Sequence, residues 1–232
     1  MDEEIRLPGP TDRTAIVGRT GSGKTVAAIW HLSHADIDER PHIILDYKND
    51  VHINAIQRAQ PIGYDDLPDA PGVYILKVLP GDEERVNEWF KSVWERENIG
   101  ILIDEGYMID PRSQWFNACL TQGRSKRISM IILSQRPVWL SRFVFSEAEF
   151  FQVFDLTHIK DMDKVREYIR DDERLQLDQP LENYHSFYYD VGHKRLDTFA
   201  PVPDETVLLE VIDNRLAELE AEEEERPRRR AL

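Results

Sequence analysis

Eight residues near the start of the chain, Gly18-Arg19-Thr20-Gly21-Ser22-Gly23-Lys24-Thr25, have the spacing G-x-x-x-x-G-K-[ST]. Glycines at both ends of such a run let backbone N–H groups turn inward around a phosphate, and a helix opening at the lysine adds the positive end of its dipole. The lysine then reaches the β- and γ-phosphates of a nucleoside triphosphate, and the hydroxyl after it ligates a metal ion. The spacing therefore predicts a cradle for ATP and Mg²⁺ built from Gly18, Arg19, Thr20, Gly21, Ser22, Gly23, Lys24, Thr25 and Val26, with Lys24 catalytic and Thr25 on the metal.

A second cluster completes that chemistry. Ile99-Gly100-Ile101-Leu102-Ile103 is an apolar run that delivers Asp104 and Glu105 at its end. Alone, an acidic pair after a strand is as readily an ordinary solvated turn as a site. Behind a phosphate loop, Asp104 is expected in the Mg²⁺ shell, and Glu105 is expected to orient and deprotonate the attacking water. The adjacent glutamate argues against a GTPase, as does the lack of N-K-x-D. The nearest stretch, Tyr47-Lys48-Asn49-Asp50, lacks the leading asparagine and comes too early. No L-S-G-G-Q stretch supports a transporter-type ATPase.

These residues need strands that end where the loops begin. Apolar runs predict strands at Thr14 to Val17, His42 to Asp46, Val73 to Leu79, Ile99 to Ile103, Ile128 to Leu133 and Phe150 to Leu156. Between them, a helix opens at Lys24 and runs to about His31. Residues 82–97 are the clearest helix, with Val86, Trp89, Phe90, Val93 and Trp94 on one face. Trp115, Phe116, Cys119 and Leu120 form another helical face, and Met162 to Ile169 a third. Tyr184 to Tyr189 and Arg195 to Ala200 read as antiparallel strands joined at Val191-Gly192. Residues 49–72 are irregular, with a short helix near Ile53 to Arg58. Strands alternating with helices imply an α/β fold: a largely parallel sheet covered on both faces, with a short antiparallel hairpin near its end. The expected organisation is a lead-in over 1–13, an ATPase domain over 14–205, an amphipathic helix over 206–221 and a charged mobile tail over 222–232.

Composition bounds the partners. With 29 basic and 44 acidic residues in 232, the formal charge is −15. Such a chain is no general nucleic-acid coat, so any DNA-handling must use locally concentrated cations. No apolar run approaches the ~20 residues of a membrane span, and the single cysteine, Cys119, forms no internal disulfide. A soluble protein of a reducing compartment is expected. The seven histidines show no metal-type spacing. Trp89, Trp94, Trp115 and Phe116 are expected in the core, and Arg228-Arg229-Arg230 as a solvated cluster.

Thr121-Gln122-Gly123-Arg124-Ser125-Lys126-Arg127, the apolar strand after it and Ser134-Gln135-Arg136-Pro137 form a pattern that resembles the FtsK/HerA superfamily of DNA-translocating P-loop ATPases, which includes packaging ATPases of some double-stranded DNA viruses. Ile43-Ile44-Leu45-Asp46-Tyr47-Lys48 is similar to that family's strand ending in D-P-K, although Tyr47 stands where proline or histidine is common. The resemblance runs from about Thr14 to Ala200. It implies a RecA/ASCE-like core, with Gln135 as the polar sensor of the γ-phosphate or attacking water. It implies a homo-oligomeric ring around double-stranded DNA, with Arg124 supplied in trans to the next subunit's ATP and Arg127 as the competing candidate. Arg136 would support the core or the interface. Capsid or portal-vertex proteins as partners, and a place in the host cytoplasm or with the virion, follow from the same analogy. An ATP-switched assembly scaffold and a DNA-export ATPase are the alternatives. Residues Asp50 to Pro71 are one candidate for a DNA-contacting loop.

Overall fold

The computed structural model describes residues 5–169 and 174–230, with side chains described as far as Glu225. In chain order the elements are β1 (Arg13–Val17), α1 (Lys24–Ser33), β2 (Pro41–Asp46), β3 (Gln60–Ile62), β4 (Gly72–Lys77), α2 (Glu83–Arg96), β5 (Ile99–Asp104) and α3 (Gln114–Gln122). They continue with β6 (Ile128–Ser134), α4 (Arg142–Ser146), β7 (Phe150–Val153), α5 (Ile159–Arg166), β8 (Ser186–Asp190), β9 (Arg195–Phe199) and α6 (Glu205–Arg230).

One sheet runs in the order β3-β4-β2-β5-β6-β1-β7-β8-β9. Every pairing from β3 to β7 is parallel, and only β7–β8 and β8–β9 are antiparallel. The carboxyl ends of seven strands therefore lie along one edge, where loops of an open α/β sheet can converge on a ligand.

Both faces are covered, and the strands show it residue by residue. Ala15 and Val17, Ile43 and Leu45, Ile101 and Ile103 pack into one core with α2 and α3, including Trp89, Phe90 and Phe116. Ile16, Ile44 and Leu102, alternating with them, face the other core with α1 and α6. This period-two sorting explains why the strands are apolar throughout: each residue meets a helix layer on its own side. Trp94 and Trp115 are half-buried at the margin of the first core.

The structure departs from the sequence expectations at several ends. β3 lies in the stretch read as irregular; it is a three-residue edge strand containing Pro61, too short to show a period. α4 was not expected either, since five residues give one turn and little pattern. β7 stops at Val153, yet Phe154 still donates to the Val17 carbonyl (2.8 Å) and the Arg19 N–H donates to the Asp155 carbonyl (2.8 Å). Residues 154–155 thus brace the phosphate loop. α5 begins at Ile159 rather than Met162, with the His158 ring accepting from the Lys160 N–H. α6 runs to Arg230 instead of stopping near Glu220. Glutamate is a good helix former, so the acidic run after Leu219 extends the helix. The Arg228-Arg229-Arg230 side chains lie outside the described residues.

Candidate active site

The loop from Gly18 to Gly23 leaves β1 at the carboxyl edge and enters α1 at Lys24. Its first glycine is fixed by crowding. A Cβ there would lie 2.5 Å from Phe154 Cβ and 2.7 Å from Ser22 Oγ. Gly23 is fixed by conformation, with φ +100° and the Tyr184 ring 3.1 Å from where a Cβ would sit. The Ala27 N–H bonds the Gly23 carbonyl at 2.9 Å, starting the helix at once. Arg19, outside the cradle, pairs with Asp155 at 2.7 Å.

Asp104 ends β5, two strands from β1 with β6 between, and Glu105 follows in a left-handed conformation (φ +63°). A non-glycine residue held there costs on the order of 1–3 kcal/mol, a kind of strain that clusters at functional sites. Both carboxylates are buried. Six buried side-chain N or O atoms among the described residues lack a partner. Two of them line this site, Asp104 Oδ2 and Glu105 Oε2, and a third, Ser22 Oγ, lies within the phosphate loop against Gly18. Native interiors pair such atoms, so their concentration at one place marks a ligand position.

The charges feel this burial. Lys24 is pushed down to about 8, first by desolvation and next by the neighbouring Lys48 charge. Its ammonium folds back onto the Arg19 carbonyl at 2.9 Å. The Asp104 carboxyl is pushed up to about 6 by desolvation, against the pull of Lys48. A lysine and a carboxylate, each strained toward neutrality, face one cavity.

Gln135, at the end of β6, joins the two clusters. Its Nε2 donates to Glu105 Oε1 at 3.2 Å and to the Tyr107 hydroxyl at 3.4 Å, while the Thr20 hydroxyl donates to its Oε1. Lys48 forms an ion pair with the same Glu105 oxygen. Sequence reasoning placed Gln135 and Thr20 here but gave Lys48 and Tyr107 no role. The Asp46-Tyr47-Lys48 match was the available signal: β2 neighbours β5, so its end must face that of β5.

The cavity measures about 470 Å³. Thr20, Gly21 and Gly23 to Val26 form its floor and Lys48, Asp104 and Glu105 one side. Phe154, Tyr184 and Pro201-Val202-Pro203 form an apolar wall, with the His52–Glu205 pair (2.7 Å) at its rim. That wall was not foreseen. Tyr184 was expected in a strand but precedes β8 with φ +62°, leaning on Gly23. The enclosure can hold a planar base against aromatic and proline surface while phosphates lie on the loop.

Arg124 and Arg127 lie elsewhere. They belong to the 3₁₀ turn before β6, at the amino edge of the sheet. Seven residues of β6 at ~3.3 Å each separate them from Gln135, roughly 23 Å. The Arg127 side chain bonds Asn98 (2.9 Å) and its carbonyl accepts from Arg40 (2.8 Å). The Arg124 carbonyl accepts from the Arg127 N–H at 3.3 Å, while its side chain is exposed and enters no hydrogen bond or close ion pair among the described residues, its charge felt only by Glu149. Arg136 pairs with buried Asp161 at 3.0 Å.

No protein-family model matches the chain. Among curated proteins it is similar to the DNA packaging ATPase P9 of Enterobacteria phage PRD1, 41% identical over 216 residues, which are 90% of this chain and 95% of that one. Among solved structures it resembles the genome packaging NTPase B204 from Sulfolobus turreted icosahedral virus 2 in complex with AMPPCP. That match has a TM-score of 0.66 at 18% identity and covers 84% of this chain and 100% of that one. VirB4 of Thermoanaerobacter pseudethanolicus shares the fold, with a TM-score of 0.63 at 10% identity over 88% of this chain and 93% of that one. No helix among the described residues is long and apolar enough to cross a membrane.

Proposed function

The chain belongs to the viral DNA packaging ATPases, the family of the PRD1 protein, and from that premise we propose that it hydrolyses ATP as a homo-oligomeric ring that drives double-stranded DNA into a capsid, docked on portal-vertex proteins in the host cytoplasm. The observation that carries the chemistry is the pair of buried carboxylates with unpartnered oxygens, Asp104 and Glu105, facing the same cavity as the phosphate loop.

The γ-phosphate draws Lys24 off the Arg19 carbonyl, and the backbone N–H groups of the loop hold the β-phosphate. The base rests against Phe154, Tyr184 and the Pro201–Pro203 wall. The donor set fits Mg²⁺, since Asp104 offers a buried oxygen with no protein partner and Thr25 a hydroxyl at the head of α1. Thr25 and Asp104 would hold the ion, which when bound neutralises charge on the phosphate oxygens. Lys48 and Gln135 fix Glu105 Oε1, which leaves Oε2 to orient the attacking water and take its proton. Gln135, held by Thr20 and Tyr107, reports whether the γ-phosphate is present.

Arg124 completes the site of the adjacent subunit. It is too far from its own phosphate loop and has a free guanidinium, whereas Arg127 is tied to Asn98. A guanidinium supplied in trans is worth ~10³–10⁵ in rate in other nucleotide hydrolases.

ATPase rate measured against protein concentration, with and without duplex DNA at two salt levels, tests the reading. The rate should climb as rings assemble, climb again with DNA, and lose the DNA response at high salt as counterion release predicts. A rate indifferent to DNA wherever rings form would favour the assembly scaffold. Mixing Lys24→Ala with Arg124→Ala should give more activity than either alone, because some interfaces regain an intact loop beside an intact arginine. No recovery in proven mixed rings would place Arg124 outside the site.

A further inference from the structure

Charge is segregated along this acidic chain. From Pro111 to Ser146 there is no aspartate or glutamate, but there are six cations: Arg112, Arg124, Lys126, Arg127, Arg136 and Arg142. The stretch 50–71 is the reverse. It carries Asp50, Asp65, Asp66 and Asp69 against Arg58 alone, and Arg58 is paired with Glu220. It repels phosphate, so the sequence-based candidate for a DNA loop has the wrong sign.

The fold divides the six cations between two edges. Lys126 pairs with Glu97 and Arg127 with Asn98 at the amino edge, where Arg124 is the free group. Arg112 and Arg136 lie in the loops after β5 and β6 at the carboxyl edge, and Arg142 opens α4 just after the second loop. The Arg112 side chain is 90% exposed, with only its Nε on Asp110 at 3.3 Å, a surface pair that a phosphate can replace, and Arg142 is exposed too. The same two loops carry two apolar side chains that face solvent, Met108 and Trp139 (42% and 53% exposed).

Trp139 is also wired to the nucleotide site. Its ring meets Tyr107 edge-on at 5.7 Å, and the Arg136 guanidinium lies 4.2 Å over it. The Tyr107 hydroxyl accepts from Gln135, which bonds Glu105. A chain of side chains, Glu105 to Gln135 to Tyr107 to Trp139, thus connects the hydrolytic carboxylate to an exposed indole.

We infer that the loops 106–112 and 135–142 hold the phosphate backbone of duplex DNA, with Arg112 and Arg142 neutralising phosphates and Trp139 packing on the sugar edge. Tyr107 carries the position of Gln135 to Trp139, so loss of the γ-phosphate moves the group that touches the track. The inference rests on the motor reading and adds its contact surface. Backbone contacts carry no sequence preference, as a translocating motor requires.

The test is binding of a 30-base-pair duplex by the full chain in the presence of Mg²⁺ and a non-hydrolysable ATP analogue, as a function of salt. Arg112→Ala with Arg142→Ala should make the slope of log affinity against log salt shallower by about 0.9 for each phosphate that is no longer neutralised, with analogue binding retained as proof of folding. Lys91→Ala, which removes a charge on α2, should leave the slope unchanged. Trp139→Ala should abolish stimulation of the ATPase by DNA, and Trp139→Phe should restore most of it. An unchanged slope in the arginine double variant overturns the inference. So does a fall in slope confined to Arg124→Ala with Lys126→Ala, which would put DNA at the amino edge. No DNA binding by the unsubstituted ring would overturn the motor reading and this surface with it.

Discussion

Buried charge collects at two opposite edges of the sheet, and the clusters differ in whether the charges are satisfied. At the amino edge, Arg40 is 2% exposed, yet its guanidinium reaches Asp36 (2.9 Å), the Arg127 carbonyl (2.8 Å) and Ser129 Oγ (2.7 Å). His42 closes the cluster, with Nε2 3.2 Å from Asp36 and Nδ1 3.2 Å from the Arg40 carbonyl. Burial alone would raise the Asp36 carboxyl; hydrogen bonds from His42 and Arg40 outweigh it and hold the group well below the carboxylate range. At the carboxyl edge the reverse holds. Asp104 is raised and carboxylate oxygens go unpartnered, whereas desolvation lowers the cations of both edges, Lys24 here and Arg40 and His42 there. Both clusters are desolvated, but only the first pairs both oxygens of its carboxylate. A cluster whose polar groups are satisfied within the chain is architecture, and one that leaves them waiting is a site.

Substitutions on each side should separate along that line. Lys24→Ala should eliminate measurable turnover while leaving thermal stability unchanged or slightly higher, since it removes a poorly paired buried cation. A large fall in Tm would contradict this. Arg40→Met should do the opposite: stability falls by about 3–5 kcal/mol as Asp36 and His42 lose their partner, with nucleotide affinity of the remaining folded protein unaltered. Chemical denaturation beside nucleotide titration reads both, and a selective loss of affinity would break the contrast. Adding Asp36→Leu to Arg40→Met should return part of the loss, because an apolar pair replaces an orphaned charge.

Lys48→Met probes the one ion pair within the unsatisfied cluster. An ion pair with one end in solvent is worth on the order of 1 kcal/mol, so turnover should fall roughly five- to tenfold. Steady-state kinetics at saturating ATP measures it. Faster turnover would mean the lysine restrains Glu105 instead of steadying it. An effect seen only with pH belongs to His31, on the buried face of α1 and bonded to Gln152 at 2.9 Å. Burial lowers its ring to about 4 from an ordinary 6.5. Between those values the unfolded chain binds the proton more readily, so stability declines as pH falls from 6.5 toward 4. His31→Gln should flatten that decline in denaturation curves taken across the window; an unaltered slope would assign it to other groups.

Much of this was legible from local pattern. The phosphate loop, the strand ending in Asp104-Glu105 and the helix carrying Trp89 and Phe90 each depend on neighbours in sequence, so spacing revealed them. Lys48, Tyr107 and the Tyr184–Pro203 wall were not legible as functional residues. Their roles come from strand order: β2 beside β5 brings Lys48 to Glu105, and residues 201–204, between β9 and α6, return to the loop that opens α1. β3 and α4 were missed because three to five residues are too few to display a period. The extension of α6 was missed because an acidic run reads as solvated tail and as helix former alike.

Glu105 as the base and Asp104 as the metal ligand are roles that two isosteric substitutions separate. Glu105→Gln should bind ATP with Mg²⁺ nearly as tightly as the unsubstituted protein and hydrolyse it ~10²-fold or more slowly, measured by titration calorimetry and single-turnover hydrolysis on the same preparation, with Asp104→Asn as the variant that loses Mg²⁺-dependent binding. Equal weakening of binding by both substitutions, with no selective loss of turnover in Glu105→Gln, would contradict this division of roles.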